Sequence, residues 1–411
     1  MIIKAFNITN DRSIILKISL FVFIISLPFE LIFTSISFFI LVITILIVLR
    51  KRKLDFNLNR YKLVLLIPFL FLQSIIFPQI VPDYSFSFSH IDTQLLMFFV
   101  PLAIILLDRK GVNKISMIKT TFVWSISIFC IVAFITLFYK LLINFEHRMD
   151  YNFIQTSMYH FHYPYDVLYI NIAYTILIFS KKFRKLHQVT IGVLFFVFTL
   201  LSGVRLGLFL FIFISIVYFF CNIKRVLSIK FFIFLFAIVT LGLVLIKTSR
   251  YTNDKFFDSL DKIGFNTKKY VSDIGEDYHK MTLRQRLWST AIEAHKRNDF
   301  KLIGYGPNGS KPIIKSIYLK RGFKDKSYLN SHNQYLTTLV DGGYVGLAML
   351  VLIFIFSIII SIKNKSLENV LIVILIMASF LTESMLERQK GVVIFSLFLS
   401  ISLIQQKKVS H

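Results

Sequence analysis

One histidine, a few arginines and a small carboxylate cluster are the side chains able to do chemistry in an otherwise apolar sequence. Ser331-His332-Asn333-Gln334-Tyr335-Leu336 opens a long apolar run. Imidazole changes charge near neutral pH, so His332 can exchange a proton, while Asn333 and Tyr335 beside it can hydrogen-bond a ligand. The bland alternative is an interfacial histidine with a satisfied hydrogen bond. Arg205 stands in Leu201-Ser202-Gly203-Val204-Arg205-Leu206-Gly207; it either snorkels to a membrane surface or meets an anion. Further on, Leu283, Leu287, Trp288, Ala291, Ile292 and His295 recur at helical spacing, with Arg284 and Arg286 along the same amphipathic helix. Gly304-Tyr305-Gly306-Pro307-Asn308-Gly309 follows. Such a turn either joins helices or lets backbone approach a ligand closely. The last groups are His160-Phe161-His162-Tyr163-Pro164-Tyr165-Asp166, at the start of an apolar block, and Glu383-Ser384-Met385-Leu386-Glu387-Arg388-Gln389-Lys390, between the last two blocks.

The elements that must position these residues are membrane spans. Hydrophobic residues make up 56% of the 411-residue chain, charged residues 17%, and 46 residues are Phe. Soluble cores of this length could not hide that much apolar surface. The apolar blocks fall at 14–29, 32–49, 63–80, 94–107, 117–139, 164–180, 188–202, 206–222, 229–246, 334–361, 369–383 and 391–405. Each must close its own backbone hydrogen bonds in lipid, so the fold class is an all-α membrane protein with about twelve spans. The organisation predicted is an N-terminal membrane part (1–246), a long loop subdomain with amphipathic helices (247–331) and a C-terminal membrane part (332–411).

Charge orients the spans. With both termini in the cytoplasm, inside segments hold 24 basic residues and short outside loops five, the other 18 lying in the long loop. The alternation never breaks, which predicts a periplasmic loop 247–331. Positive-inside bias therefore explains much of the net charge of +25 without nucleic acid. It does not explain the long loop, where 18 bases exceed nine acids on the outer side; an anionic partner there would. All the reactive groups named above also fall on that side, which argues for one shared site. Cys130 and Cys221 both lie in apolar runs, so neither a disulfide framework nor a metal site is expected.

The ordered set resembles the O-antigen ligase and O-antigen polymerase family of bacterial membrane glycosyltransferases. The set is an Arg after a Ser-Gly turn, then Arg-x-x-x-Trp (Arg284 to Trp288) and Gly-x-Gly (Gly304, Gly306). His-Asn-x-Tyr-Leu then runs into a glycine-bearing helix, and Thr382-Glu383-Ser384 with Arg388 and Gly391 closes it. Val204 stands where the family often has Ser. The resemblance covers about residues 190–400. It implies a twelve-span enzyme of the bacterial inner membrane that moves a glycan from undecaprenyl pyrophosphate to a sugar hydroxyl on the periplasmic face. The acceptor is lipid A core or a growing chain. Transfer is inverting, with no metal or other cofactor.

Carried over, Arg205 and Arg284 would hold the pyrophosphate and His332 would take the acceptor's proton, with Glu383 or Glu387 next in line for that duty. Arg286, Asn333, Tyr335, His162, Arg388 and Glu383 are the expected substrate contacts. A transporter of lipid-linked sugars and a scaffold of a polysaccharide assembly complex are the competing readings. A transporter calls for midplane charges and repeated halves, which the sequence lacks. A scaffold leaves the ordered Arg, Arg, His set without a reason.

Overall fold

The computed structural model describes residues 13–50, 58–76, 91–108, 113–143, 153, 156–160, 162–222, 282–306, 309–322 and 329–404. All regular structure among them is helical. The longer helices are α1 (Ser13–Ser26), α2 (Leu31–Arg50), α3 (Leu66–Ile76), α4 (Leu96–Asp108), α5 (Asn113–Ile143), α6 (Tyr163–Phe179), α7 (Lys185–Leu201) and α8 (Arg205–Cys221). After them come α9 (Leu283–Arg297), α10 (Ser310–Lys320), α11 (Gln334–Lys363), α12 (Leu367–Phe380) and α13 (Gln389–Leu403). Every apolar block read from the sequence contains a helix except 229–246, which lies outside the described residues, as does all of 247–281.

Leu31–Val48, Ile115–Ile143 and Gln334–Lys363 are long and apolar enough to cross a membrane, and six more apolar helices are shorter. Large apolar side chains face outward along them: Phe39, Phe138, Phe209 and Phe220 are each 65% exposed. Water would penalise such a surface by about 25 cal/mol per Å², and lipid does not. The fold is that of a membrane protein.

Two compact units divide the chain, 1–125 with 283–411 and 126–282. In the first, α13 is buried along its length and packs against α4, α11 and α12. Rings of Phe354, Phe380 and Phe395 interlock there, with centroids 5.5–6.0 Å apart. At one end of this unit Asp108 takes Arg60 (2.6 Å) and the Tyr61 hydroxyl (3.0 Å), and Lys119 takes Glu368 (2.6 Å). The opposite end gathers the α1–α2 turn, the end of α3, the starts of α4, α11 and α13 and the end of α12. There the buried Lys390 donates from Nζ to the Pro28 carbonyl at 3.0 Å.

In the second unit α6 lies tightly on α8. A Cβ on Gly207 would sit 2.1 Å from Val167 Cγ1, and Asn171 Nδ2 donates to the Gly207 carbonyl at 2.9 Å. Glycine is required here to let the helices meet. Tyr174 and Phe211 stack across the same seam at 4.0 Å.

Candidate functional site

The mouth of α11 is fixed by a cap and a strained residue. Asn333 is the N-cap, its side chain accepting from the Leu336 N–H at 3.2 Å, which satisfies one of the orphan donors every helix start exposes. His332, just before it, has φ 45°. A β-carbon makes that left-handed conformation cost about 1–2 kcal/mol, so the surroundings must hold it. Asn330 does so, its Oδ1 accepting from the His332 N–H at 3.0 Å. Ser331, Thr337 and Ser384 form a hydroxyl chain with 2.8 Å links, tying the start of α11 to the segment after α12.

That segment delivers a carboxylate to the imidazole. His332 Nδ1 lies 3.1 and 3.2 Å from the two Glu383 oxygens. The Glu383 side chain is 9% exposed and that of His332 32%. A carboxylate can only accept, so the ring presents Nδ1–H to Glu383 and keeps the Nε2 lone pair free. Glu387 is tied in through Asn330, whose Nδ2 donates to it. Burial pushes the Glu387 carboxyl above its usual range, against the pull of the Asn330 hydrogen bond and of Lys311. Chemically the arrangement is an oriented, partly open imidazole over a buried acid.

The glycine turn has a structural role. Gly343 (φ 62°, ψ −163°) breaks α11 within its long apolar run, while Gly342 and Gly346 lie close to Gln73 on α3. In an unbroken helix the Tyr344 and Val345 N–H groups would bond to the carbonyls of Val340 and Asp341. Here they donate to Lys301 and Leu302 (3.0 Å each), while the Val340 and Asp341 carbonyls accept from Tyr305 (3.0 Å) and Gly306 (2.7 Å). The turn thus plugs the break with its own backbone. A Cβ on Gly304 would lie 2.4 Å from the Asp341 oxygen, and one on Gly343 2.4 Å from the Leu302 carbonyl carbon. Gly343→Ala is therefore expected to destabilise by about 2–4 kcal/mol, combining left-handed strain with overpacking. A lowered thermal midpoint in detergent checks this; an unchanged midpoint would mean the plug is not tight.

Helix α9 packs on α10 and α11. Its buried stripe is Leu287, Thr290, Ala291, Ala294 and His295, whereas Leu283 and Ile292, expected inside, are 40% and 43% exposed. Small Thr290 and Ala294 let α9 come close to its neighbours, which hydropathy spacing alone does not reveal. Arg284 is exposed. One turn on, Trp288 Nε1 is buried without a partner among the described residues. Arg286 is half-buried, and Arg321 from α10 binds Glu293 on α9. Burial, with Lys301 nearby, lowers the His295 pKa.

The first unit thus unites His332, Asn333 and Glu383 directly, and carries exposed Arg388 at the N-cap of α13. Tyr335 turns away, its hydroxyl donating to the Met377 carbonyl at 3.1 Å and its ring lying near Phe354 and Phe380. Arg205 and His162 belong to the second unit, Arg205 exposed at the start of α8 and His162 capping α6. Among the described residues no group of three or more His, Cys, Asp or Glu is placed to hold a metal.

Sequence reading passed over Asn330 and Gln73. Asn330 flanks the motif that begins at Ser331, and Gln73 is a polar side chain inside an apolar block, which is itself a signal.

Compared with known protein families, residues 190–351 match the model of the family described as O-antigen ligase. No curated protein matches the chain. The matched segment contains Arg205, Arg284, Trp288, Gly304 and His332, whereas Glu383 and Arg388 lie beyond it. Residues 190–351 are thus similar to the O-antigen ligase family, the family that the chain's motifs resemble.

Proposed function

We propose that the chain is a membrane glycosyltransferase that moves a glycan from undecaprenyl pyrophosphate to a saccharide hydroxyl, lipid A core or a growing chain, on the periplasmic face of the inner membrane. The observation that carries this reading is the His332–Glu383 pair at the mouth of α11. Nε2 takes the proton of the acceptor hydroxyl as its oxygen attacks the anomeric carbon. The bond from that carbon to the pyrophosphate oxygen breaks, and the electron pair leaves with the pyrophosphate. Attack from the far face inverts the anomeric centre. Glu383 holds the tautomer and steadies the imidazolium, a positioning role. Arg284, and by family resemblance Arg205, neutralise the departing charge with planar forks suited to phosphate, so the step needs no metal. Arg286, Arg388, Asn333 and His162 are proposed to contact substrate; the bonded hydroxyl of Tyr335 suits a supporting role better.

Proteoliposomes containing the full chain, the lipid-linked donor and an acceptor glycan should form the transferred product, with undiminished yield in EDTA. Donor crossing the bilayer without product would favour the transporter. Neither activity would favour the scaffold.

The orientation is testable separately. With Cys221→Ser as background, a cysteine at the exposed Ser316 of α10 should react with a membrane-impermeant thiol reagent once only the outer membrane is opened. Labelling that requires breaking the inner membrane would reverse the topology.

A further inference from the structure

The first unit also holds a cleft that the proton transfer described above does not use. It lies between α3, the start of α4, the first turns of α11 and the 385–387 turn. Gln73, Gln94, Gln334, Thr338, Asp341 and Glu387 are among its walls, and its volume is about 60 Å³. That is roughly four water-sized positions, enough for the edge of a sugar ring.

Gln73 makes the cleft unusual. The residue is 3% exposed on an apolar helix, and its Nε2 donates to the Gly342 carbonyl at 3.3 Å. Its Oε1 has no partner among the described residues. A buried amide oxygen left unbonded lowers stability, and native proteins seldom keep one without a reason. Glycine makes room for this amide: a Cβ on Gly346 would stand 3.2 Å from its oxygen.

The walls carry amides, hydroxyls and carboxyls, with Leu70, Met97 and Leu386 between them, and no cationic side chain among the described lining residues. Such a surface is wrong for a pyrophosphate, which calls for cations. It suits a neutral ring with hydroxyls on its edge and C–H groups on its faces. The cleft also adjoins the reacting pair. Glu387 in its wall accepts from Asn330, the side chain that holds the His332 backbone.

We infer that this cleft is the acceptor subsite, binding an uncharged sugar ring through its hydroxyls, one of which donates to Gln73 Oε1. The inference rests on the transferase reading and divides its labour, with arginines for the donor and the amide-lined cleft for the acceptor.

The test uses the full chain in nanodiscs and, as probe, the oligosaccharide released by mild acid from the glycolipid of the producing cells. Saturation-transfer NMR should show the probe bound to the wild type and to Arg284→Ala. Binding should weaken about tenfold in Gln73→Leu, the loss of roughly one hydrogen bond. The thermal midpoint of that variant should change little, since the orphaned oxygen and the bond to the Gly342 carbonyl are lost together; a merely structural Gln73 would not combine that with lost binding. In the transfer assay the acceptor KM should rise by a similar factor while the donor KM stays put. Thr338→Val serves as the second variant should Gln73→Leu fail to insert.

Unchanged binding in both variants, or a donor KM that rises as much as the acceptor KM, overturns the inference. Transfer by a wild type that does not bind the probe also sinks the subsite and leaves the transferase reading standing. Probe binding without any transfer does the reverse.

Discussion

Replacing His332 by Ala is expected to reduce glycan transfer by about 10²–10⁴-fold, the usual contribution of a positioned base, while donor binding persists. The expectation comes from geometry. Nδ1 is occupied by Glu383 at 3.1 Å, which leaves Nε2 as the proton acceptor. Glu383→Gln should also be severely impaired, because an amide can stabilise neither the tautomer nor the imidazolium as a carboxylate does. The double variant should be hardly slower than His332→Ala, since residues that act as a unit are not additive. His332→Gln separates two duties: Gln can hydrogen-bond the acceptor hydroxyl but cannot carry off its proton. Near-normal turnover in the Gln variant would make His332 a positioning group and move the base to another residue. Loss of donor binding in His332→Ala would instead assign it to the pyrophosphate. Steady-state transfer together with a donor-binding measurement distinguishes all three results.

The second large effect concerns the arginines. Arg284→Ala should lower the transfer rate by about 10²–10³-fold, the cost of losing one group aimed at developing negative charge. Arg284→Lys should recover only part of this, because an ammonium cannot present the planar fork. Arg284 is exposed and Arg286 half-buried on the same helix, so the reading requires the smaller loss from Arg286→Ala. A larger loss there would exchange their roles. Arg205→Ala is expected to match Arg284→Ala. Full activity in that variant, inserted at normal levels, would reduce Arg205 to a residue snorkelling at the head of α8.

The electrostatics of the mouth support this division. Glu383 lies 3.1 Å from the imidazole and Glu387 stands close by, an acidic surrounding that disfavours an anion binding there. A pyrophosphate is better held by cations such as Arg284 and Arg388, which stand exposed without an ion pair among the described residues.

Much of this was legible in the linear order of residues, for a local reason. An apolar run in lipid has to bond its own backbone, so α2, α5 and α11 follow from composition and length. The cap at Asn333, the amphipathic α9 and the ordered Arg, Trp, Gly and His motifs are likewise local patterns. What packing decided is who meets whom. Glu383 reaches His332 across 51 residues, and Gln73 reaches Gly342 across 269. Both depend on the register in which helices pack, and hydropathy leaves that register open because every face of a spanning helix is apolar. The break at Gly343 belongs to the same class. It depends on the 301–306 turn, which supplies the hydrogen bonds that α11 gives up. Composition alone determined that the chain belongs in a membrane and where its reactive residues fall along it. Only the tertiary structure set a buried carboxylate behind the histidine at the helix mouth, because hydrogen bonds between helices are set by three-dimensional packing rather than by neighbours in the chain.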